Sequence, residues 1–359
     1  MNTLLSIQGF LFILLGFIFL ITVHELGHWI LARYYKFKTP IFSVGFGKPY
    51  LTLGKKFDTE FRLSAIPFGG YVAIPAMDDV SSQSESEPRK PVGQRAMVAL
   101  AGPLFNILLA IAIGWAIFGW YGKVELDFQH LLIQGFSQAN SAAKVAGLET
   151  GDRIVSVNGY QIRSPMDLAS SLSGNHGESV SIEITRNGKE MSLTISPSQE
   201  GKLGVQLKPV FKRRFENLTA FEALKKSVQD NMAMMKDVTA AFGQLFMKLF
   251  PPDSDPATTN GGDLELSGPV GIFQIGIEAF RSGGYSYWYF LMVISVNLGI
   301  INLLPLPVLD GGRILLYGIE AVKGGPVNSK IQQILFGLSA FFLIGLMLWV
   351  TAAELSGLL

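Results

Sequence analysis

The sequence predicts a polytopic α-helical membrane protein with a membrane-associated β-element and one β-rich domain outside the membrane. The first observation is composition: 49% of the 359 residues are hydrophobic and only 16% are charged. The mean hydropathy of +0.35 is too high for an ordinary soluble protein. The second observation is that long apolar runs near 4–31, 96–120, 287–304 and 331–351 have the length of membrane spans. We therefore expect about four transmembrane helices.

Basic residues near the ends of these spans indicate the orientation of the chain. Cytoplasmic loops carry an excess of lysine and arginine. Here the basic residues follow the first span, precede the second, and lie between the third and fourth, at Arg33, Lys36, Lys38, Arg89, Lys90, Arg95, Arg313, Lys323 and Lys330. We therefore expect loops 33–95 and 308–330 in the cytoplasm. Both termini and the segment 122–285 are then on the outer side.

The charge balance and the absence of cysteine exclude several classes of function. A net charge of +1 gives no indication of nucleic-acid binding. Because the chain has no cysteine, it can form no disulfide, no thiolate zinc site and no cysteine nucleophile. Any metal site must therefore use histidine, aspartate or glutamate side chains.

The sequence His24-Glu25-Leu26-Gly27-His28 lies at the end of the first apolar run. Residues i and i+4 share one face of a helix, so the two histidines can bind one metal ion. Glu25 lies beside them, where a carboxylate can polarise a metal-bound water. The alternative is a pair of unrelated surface histidines. Ionisable residues at membrane depth are costly and usually functional, which favours the metal site.

A hydrolytic zinc site usually has three protein ligands and one open position, so a third ligand is needed. His130 and His176 lie in the outer segment, far from membrane depth. Asp310 is the candidate, because two prolines and two glycines around it break the helix of the third span. Irregular backbone near membrane depth must be buried in protein or line a wet cavity. Taken alone, Asp310 is equally well explained as a helix-capping loop residue; the histidine pair favours the ligand role.

The outer segment contains strand-like and helix-like parts. Residues 131–209 are expected to form the β-rich domain. A strand at 153–157 precedes a turn at Asn158-Gly159, and an alternating strand at 179–185 precedes a hairpin turn at 186–189. Residues 216–250 are expected to form an amphipathic helix that packs on its own protein or on the membrane surface. Its apolar residues recur at helical spacing, at Phe221, Leu224, Val228, Met232 and Met235.

These parts define the expected domains. Residues 1–121 and 267–359 form the two halves of a membrane core, and 122–210 form the β-rich domain. Residues 211–266 comprise the amphipathic helix and a Pro-, Asp-, Thr- and Gly-rich linker at 251–263.

Several motifs together resemble the bacterial site-2 proteases, and in particular their regulator of sigma-E protease type. They are the histidine pair with Glu25, Leu309-Asp310-Gly311, Gly69-Gly70-Tyr71-Val72, Ala101-Gly102-Pro103 with Asn106, and Ser267-Gly268-Pro269-Val270-Gly271. The resemblance implies an intramembrane metalloprotease with Zn²⁺ bound by His24, His28 and Asp310, and with Glu25 as catalytic base. It also implies the bacterial inner membrane. The basic flank beginning at Arg33 places the expected active site towards the cytoplasmic side of the first span.

Within the β-rich domain, residues 146–159 resemble the most recognisable part of a PDZ domain. PDZ domains bind extended C-termini on a strand edge, and Leu203-Gly204-Val205 is a candidate carboxylate-binding loop. In the family the domain is thought to act as a size filter or as a sensor of trimmed substrates. Many members carry two such domains, whereas about eighty residues here fit only one, so the gating scheme does not transfer in detail.

Further residues are expected to handle substrate. Asn302 is the candidate oxyanion donor, with hydrogen bonding to broken-helix carbonyls as the alternative. The resemblance gives Pro305 and Pro307 a role in substrate handling, and it makes Gly69, Gly70 and Tyr71 part of a membrane-reentrant β-element that could bind an extended substrate. An ordinary cytoplasmic hairpin is the alternative for that element. Asn106 either contacts substrate or is a polar tie between spans.

The predicted function is an intramembrane zinc endopeptidase that cuts single-span membrane proteins after prior trimming. The resemblance suggests anti-sigma factors or signal-peptide remnants as substrates, and the lipid bilayer is the other partner. One alternative is a membrane-anchored PDZ scaffold without proteolytic activity. Another is a transporter, but its internally repeated hydropathy is not seen in the four spans. The sequence leaves the oligomeric state open.

Overall fold

The structure is a computed structural model that describes residues 2–77, 90–137, 141–173, 178–197, 203–249 and 268–356. The helices are α1 (Asn2–Tyr34), α2 (Val92–Tyr121), α3 (Ala142–Val145), α4 (Pro165–Ser173), α5 (Ala220–Leu249), α6 (Pro269–Arg281), α7 (Gly284–Asn302), α8 (Asp310–Lys323) and α9 (Ser329–Ser356). The strands are β1 (Ile41–Lys56), β2 (Thr59–Ala73), β3 (Lys123–Phe136), β4 (Arg153–Val157), β5 (Tyr160–Gln161), β6 (Val180–Arg186), β7 (Lys189–Ile195) and β8 (Val205–Glu216).

The chain divides into two compact units. One is Gly122–Asn217, and the other, called here the membrane unit, comprises Met1–Tyr121 and Leu218–Leu359. The expected linker at 251–263, together with His176 and Ser267, lies outside the described residues.

Four helices of the described chain are long and apolar enough to cross a membrane, which confirms the predicted number of spans. They are α1, α2, α7 and α9. The first three pack around a shared apolar core that contains Ile13, Leu20 and Val296. Small residues allow their backbones to approach closely, as is common between membrane helices. A Cβ atom on Gly27 of α1 would lie only 2.5 Å from the carbonyl oxygen of Ala101 in α2.

Helix α9 contacts α6 through the carboxylate of Glu354. Its oxygens accept hydrogen bonds from the backbone N–H groups of Gly268, Val270 and Gly271 at 2.6, 3.2 and 3.0 Å. The first N–H groups of a helix have no partner within the helix, and a negative charge is favoured there. The glycine- and proline-containing motif noted in the sequence is therefore the start of α6.

The expected amphipathic helix is α5, and the residues that it buries most deeply are small or polar rather than its largest apolar ones. Phe221 and Met232 are 76% and 61% exposed, whereas Ser227 and Asn231 are fully buried. The Ser227 hydroxyl donates a hydrogen bond to the carbonyl oxygen of Ile111 in α2 at 2.7 Å. The prediction allowed packing on the protein or on the membrane surface, and the hydrogen bond to α2 shows that α5 packs on the protein. Small and polar residues are common where the helices of membrane proteins meet.

Strands β1 and β2 form the β-element of the membrane unit. Both strands fold back on themselves, so that residues 41–44 are paired with 60–63 and also with 70–73. Gly69 occupies the bend before the last segment, with a φ of +97° that favours glycine. A Cβ atom there would lie 2.1 Å from the ring of Phe46. The expected strand, turn and strand at 61–72 therefore all belong to β2.

The unit Gly122–Asn217 is a single antiparallel sheet with strand order β7-β6-β4-β3-β8, in which β5 pairs with β4. Its core contains Leu131, Ile154 and Ile182, all at most 1% exposed. The turn predicted at Asn158-Gly159 is confirmed: both residues have positive φ, at 49° and 80°, as a tight hairpin turn requires.

A buried ion pair fixes the loop before β4 in this unit. Arg186 of β6 donates through Nε and Nη2 to the two carboxylate oxygens of Asp152, each at 2.7 Å. Burial opposes ionisation of Asp152, but the hydrogen bonds from Arg186 and from the Glu149 N–H outweigh this effect, so the pKa of Asp152 lies below its ordinary value.

Candidate active site

The three predicted metal-binding side chains converge in the membrane unit. The Nε2 atom of His24 lies 3.2 Å from Oδ2 of Asp310 and 3.2 Å from Nε2 of His28. The third side of this triangle, from His28 Nε2 to Asp310 Oδ2, is 3.3 Å. Tetrahedral zinc with bonds of about 2.0–2.1 Å holds its ligand atoms roughly 3.3 Å apart. The donor set therefore fits one zinc ion in both size and chemistry.

Helix α1 supplies both histidines from one face. They are 7% and 8% exposed, so both imidazoles lie inside the protein rather than against lipid. This burial contradicts the alternative of two unrelated surface histidines.

Asp310 reaches the histidines because α7 ends before it and α8 begins at it. Helix α7 stops at Asn302, and the chain turns through residues 303–309. Gly311 and Gly312 pack against this turn: Cβ atoms would lie 2.1 Å from the carbonyl oxygen of Leu303 and 2.2 Å from that of Leu306. The N-cap position of α8 is Leu309 rather than Asp310. The capping role considered for Asp310 is therefore not observed, and its carboxylate faces the imidazoles instead.

Helix α2 provides the surroundings of both imidazoles. The Nδ1 atom of His28 lies 2.7 Å from the carbonyl oxygen of Val98, and Nδ1 of His24 lies 3.0 Å from the side-chain amide of Asn106. Between them lies Gly102, where a Cβ atom would be 2.3 Å from His28 Nε2. The absence of a side chain at this position is what admits both rings.

Glu25 contacts the edge of the β-element. Its Oε2 atom accepts a hydrogen bond from the backbone N–H of Val72 at 3.1 Å. Gly70 lies on the same edge, and a Cβ atom there would be 3.4 Å from Glu25 Cγ and 2.9 Å from the carbonyl oxygen of Ser43. The glycine thus lets the strand approach the carboxylate closely.

These groups line one cavity of about 490 Å³. Besides His24, His28, Asp310 and Glu25, its lining includes four residues predicted from sequence, namely Gly69, Gly70, Tyr71 and Asn302. It also includes Arg313, one helical turn beyond Asp310, which the sequence suggested only as a flanking basic residue. An arginine in this cavity adds a cationic hydrogen-bond donor to the site.

Three predicted substrate-handling residues do not line this cavity. Asn106 is fully buried behind His24, with its side-chain amide 3.0 Å from Nδ1 of that ring, so it contacts His24 rather than the cavity. Pro305 and Pro307 lie in the turn between α7 and α8, and the cavity is lined by the following residues Val308 and Leu309 instead.

A buried ion pair that the sequence did not reveal joins α2 to α8. Arg95 is 1% exposed, and its Nη2 atom lies 2.6 Å from Oε1 of Glu320. Its guanidinium carbon lies 4.7 Å from the centre of the Tyr317 ring. Arg95 was noted only for its positive charge near a span end. No local pattern could pair it with a residue 225 positions away.

Known proteins are similar in sequence along nearly the whole chain. Residues 12–346 match the model of peptidase family M50. A protein of Brucella suis that bears the name zinc metalloprotease is 32% identical over 374 residues, covering 98% of this chain and 95% of its own. A protein of the same description from Agrobacterium fabrum is 29% identical and covers 100% of both chains.

The regulator of sigma-E protease RseP from Escherichia coli is 29% identical over 438 residues, covering 91% of this chain and 94% of its own. The predicted resemblance is therefore confirmed, and an inactive scaffold is not favoured. The chain belongs to peptidase family M50 and is a metalloprotease of the site-2 protease type.

Proposed function

We propose that this protein is an intramembrane zinc endopeptidase in which His24, His28 and Asp310 bind Zn²⁺ and Glu25 is the catalytic base. The observation that carries the proposal is the triangle of two imidazole nitrogens and one carboxylate oxygen, each side 3.2 or 3.3 Å long. It lies in a unit whose helices are long and apolar enough to span a membrane.

The chain's own residues account for the proton transfers of peptide hydrolysis. Zinc, when bound, supplies Lewis-acid activation of a water and of the scissile carbonyl. Glu25 takes the proton of the attacking water and returns it to the leaving amine, so that the carboxylate ends each turnover unprotonated. Asn302 lines the same cavity, where its amide N–H can donate to the oxyanion that develops on the substrate.

We propose that segment 70–73 binds the substrate as an added strand. A helical substrate keeps its peptide groups in its own hydrogen bonds, so it must be held extended before it is cut. The Val72 N–H is directed at Glu25, which places the edge of this segment against the cavity. A carbonyl oxygen of the bound strand would accept the hydrogen bond from the Val72 N–H in place of Glu25. The Glu25 carboxylate would then be available to take a proton from the water.

The proposed substrates are single-span membrane proteins already trimmed on the outer side. The relatives named for regulation of sigma-E support an anti-sigma factor, and a signal-peptide remnant is the second class. We propose that the protein lies in the bacterial inner membrane with its site towards the cytoplasm. The unit Gly122–Asn217 would then lie outside as a PDZ-like domain that filters or senses trimmed substrates.

Co-expression with a single-span substrate tests this function. The substrate carries a tag on its cytoplasmic side, and it is supplied either with a full outer domain or already truncated. Wild-type protein should shorten the truncated form, whereas Glu25→Gln should lower the cleavage rate by about 10²–10⁴-fold, because a positioned base contributes that much. Glu278→Gln is the matched control, since Glu278 lies exposed on α6.

The zinc content of the same purified proteins separates the base from the ligands. Glu25→Gln should retain about one zinc per chain, and His24→Ala should lose it. Equal cleavage by wild type and Glu25→Gln would remove Glu25 from the mechanism. A wild-type protein that binds no zinc would overturn the proposed function itself.

A further inference from the structure

The Nδ1 atoms of His24 and His28, which face away from Asp310, each need a hydrogen-bond partner. Both imidazoles direct Nε2 towards Asp310, so Nε2 is the atom that would bind the metal. A neutral imidazole has one N–H, and metal binding through Nε2 places it on Nδ1. Each Nδ1–H then needs a hydrogen-bond acceptor inside the protein, because both rings are buried.

For His28 the acceptor is a backbone oxygen. Its Nδ1 atom lies 2.7 Å from the carbonyl oxygen of Val98, a group that can only accept. For His24 the neighbour is the Asn106 side-chain amide, 3.0 Å from Nδ1.

The orientation of the Asn106 amide decides what it does for His24. With Nδ2 towards the ring, two donors would face each other, and Oδ1 has no hydrogen bond with any described residue. The two amide orientations differ only by exchange of oxygen and nitrogen. The orientation with Oδ1 towards His24 is the one that gives the Nδ1–H an acceptor.

We propose that Asn106 is a positioning residue that accepts the His24 Nδ1–H through Oδ1 and so directs His24 Nε2 at the metal. This inference rests on the proposed function and adds to it the residue that binds Nδ1 of His24. The site supports it: Asn106 is fully buried, its backbone oxygen accepts a 2.8 Å hydrogen bond from Ser295, and Gly299 leaves room beside it. Both neighbours lie on α7, so the backbone of Asn106 is fixed against that helix.

A purely structural tie between helices predicts a different result from a positioning residue. Hydrogen bonds to the outer nitrogen of a metal-bound histidine change metal affinity by about 10–100-fold. A structural tie would change the stability of the protein with or without metal, and it would leave the affinity for zinc unchanged.

Two variants of nearly the same shape separate these roles. Asn106→Leu removes the acceptor, whereas Asn106→Asp keeps it as a carboxylate oxygen. Asn231→Leu is the matched control, because Asn231 is also a fully buried asparagine but lies on α5 and bonds to Ser227. The measurements are zinc affinity by competition with a chromophoric chelator, the absorption spectrum of the cobalt-substituted full-length protein, and the melting temperature without metal.

We expect Asn106→Leu to weaken zinc binding by about 10–100-fold and to alter the cobalt spectrum. Asn106→Asp should bind zinc within a few-fold of wild type or more tightly. Asn231→Leu should lower only the melting temperature. Unchanged zinc affinity in Asn106→Leu, or an equal loss in Asn106→Asp or in Asn231→Leu, would overturn the positioning role while wild type still binds zinc. Absence of zinc in wild type would instead overturn the proposed function together with this role.

Discussion

Gly102 offers the most direct test of the geometry of the metal site. A Cβ atom added there would lie 2.3 Å from Nε2 of His28 and 2.7 Å from Cε1 of His24. Ordinary van der Waals contact begins at 3.4 Å, so Gly102→Ala requires the His28 ring to retreat by about 1.1 Å. Retreat is blocked on the other side, where Nδ1 of the same ring is hydrogen-bonded to Val98.

The magnitude of the effect follows from the tolerance of zinc bonds. Metal–ligand distances in proteins hold within about 0.2 Å, several times less than the displacement that the methyl group imposes. We expect the Kd for zinc to rise by at least about 100-fold in Gly102→Ala, which corresponds to about 2.7 kcal/mol of binding free energy. Overpacking also costs about 1–3 kcal/mol of stability, so the metal-free variant should melt at a lower temperature than wild type.

Two alanine variants on the same helix serve as controls, with zinc affinity and melting temperature measured on the detergent-solubilised protein. A Cβ atom on Gly119 meets nothing within 4 Å, so Gly119→Ala should leave the zinc affinity unchanged and should not lower the melting temperature, since alanine favours a helix over glycine. A Cβ atom on Gly114 would lie 2.4 Å from Oγ of Ser227, so Gly114→Ala should lower the melting temperature but not the zinc affinity. Wild-type zinc affinity in Gly102→Ala would refute the placement of the imidazoles.

Two further predictions concern buried ion pairs. Arg95→Met should destabilise the metal-free protein by about 3 kcal/mol, because it removes the cation that Arg95 places against the buried Glu320 carboxylate. Melting curves should show most of this stability recovered in the double variant Arg95→Met with Glu320→Leu. A wild-type melting temperature in the single variant would contradict the pairing. The pKa of Asp152 is lowered, so its pair with Arg186 stabilises the folded chain fully above the ordinary pKa of 3.8 and loses this contribution as the pH falls through the lower, folded value. The protection of the Glu149 amide against hydrogen exchange, taken relative to the intrinsic exchange rate at each pH, should therefore fall below about pH 4 in wild type. Asp152→Asn should remove this fall in protection, and equal protection profiles would count against the assignment.

The parts of the site that follow from local periodicity could be predicted from the sequence. His24 and His28 lie one helical turn apart in an apolar run, so their shared face required only the geometry of a helix. Asp310 could be chosen because prolines and glycines end the preceding helix. In each case the signal was an unusual residue type in a segment whose secondary structure was already clear.

The remaining contacts could not be predicted, because they depend on how separate helices cross. The partner of His28 is the carbonyl oxygen of Val98, and the partner of Glu25 is the N–H of Val72. Every residue offers such backbone groups, so the sequence carries no signal for these two. The buried face of α5 was missed for a different reason: polar Ser227 lies inside because its hydroxyl meets a helix carbonyl.

Helix α2 contributes no side chain to the proposed metal-binding triangle of His24, His28 and Asp310, yet it contacts both imidazoles. Its residues Val98, Gly102 and Asn106 recur every fourth position, so they share the face that meets the two imidazoles. Arg95 on the same helix binds Glu320 of α8, the helix that carries the third ligand at its first residue. Helices α1 and α8, which carry the proposed ligands, are thus both held against α2. None of the contacts that hold them involves the metal. We therefore expect the site to be preorganised, so that loss of zinc alters the chemistry more than it alters the fold.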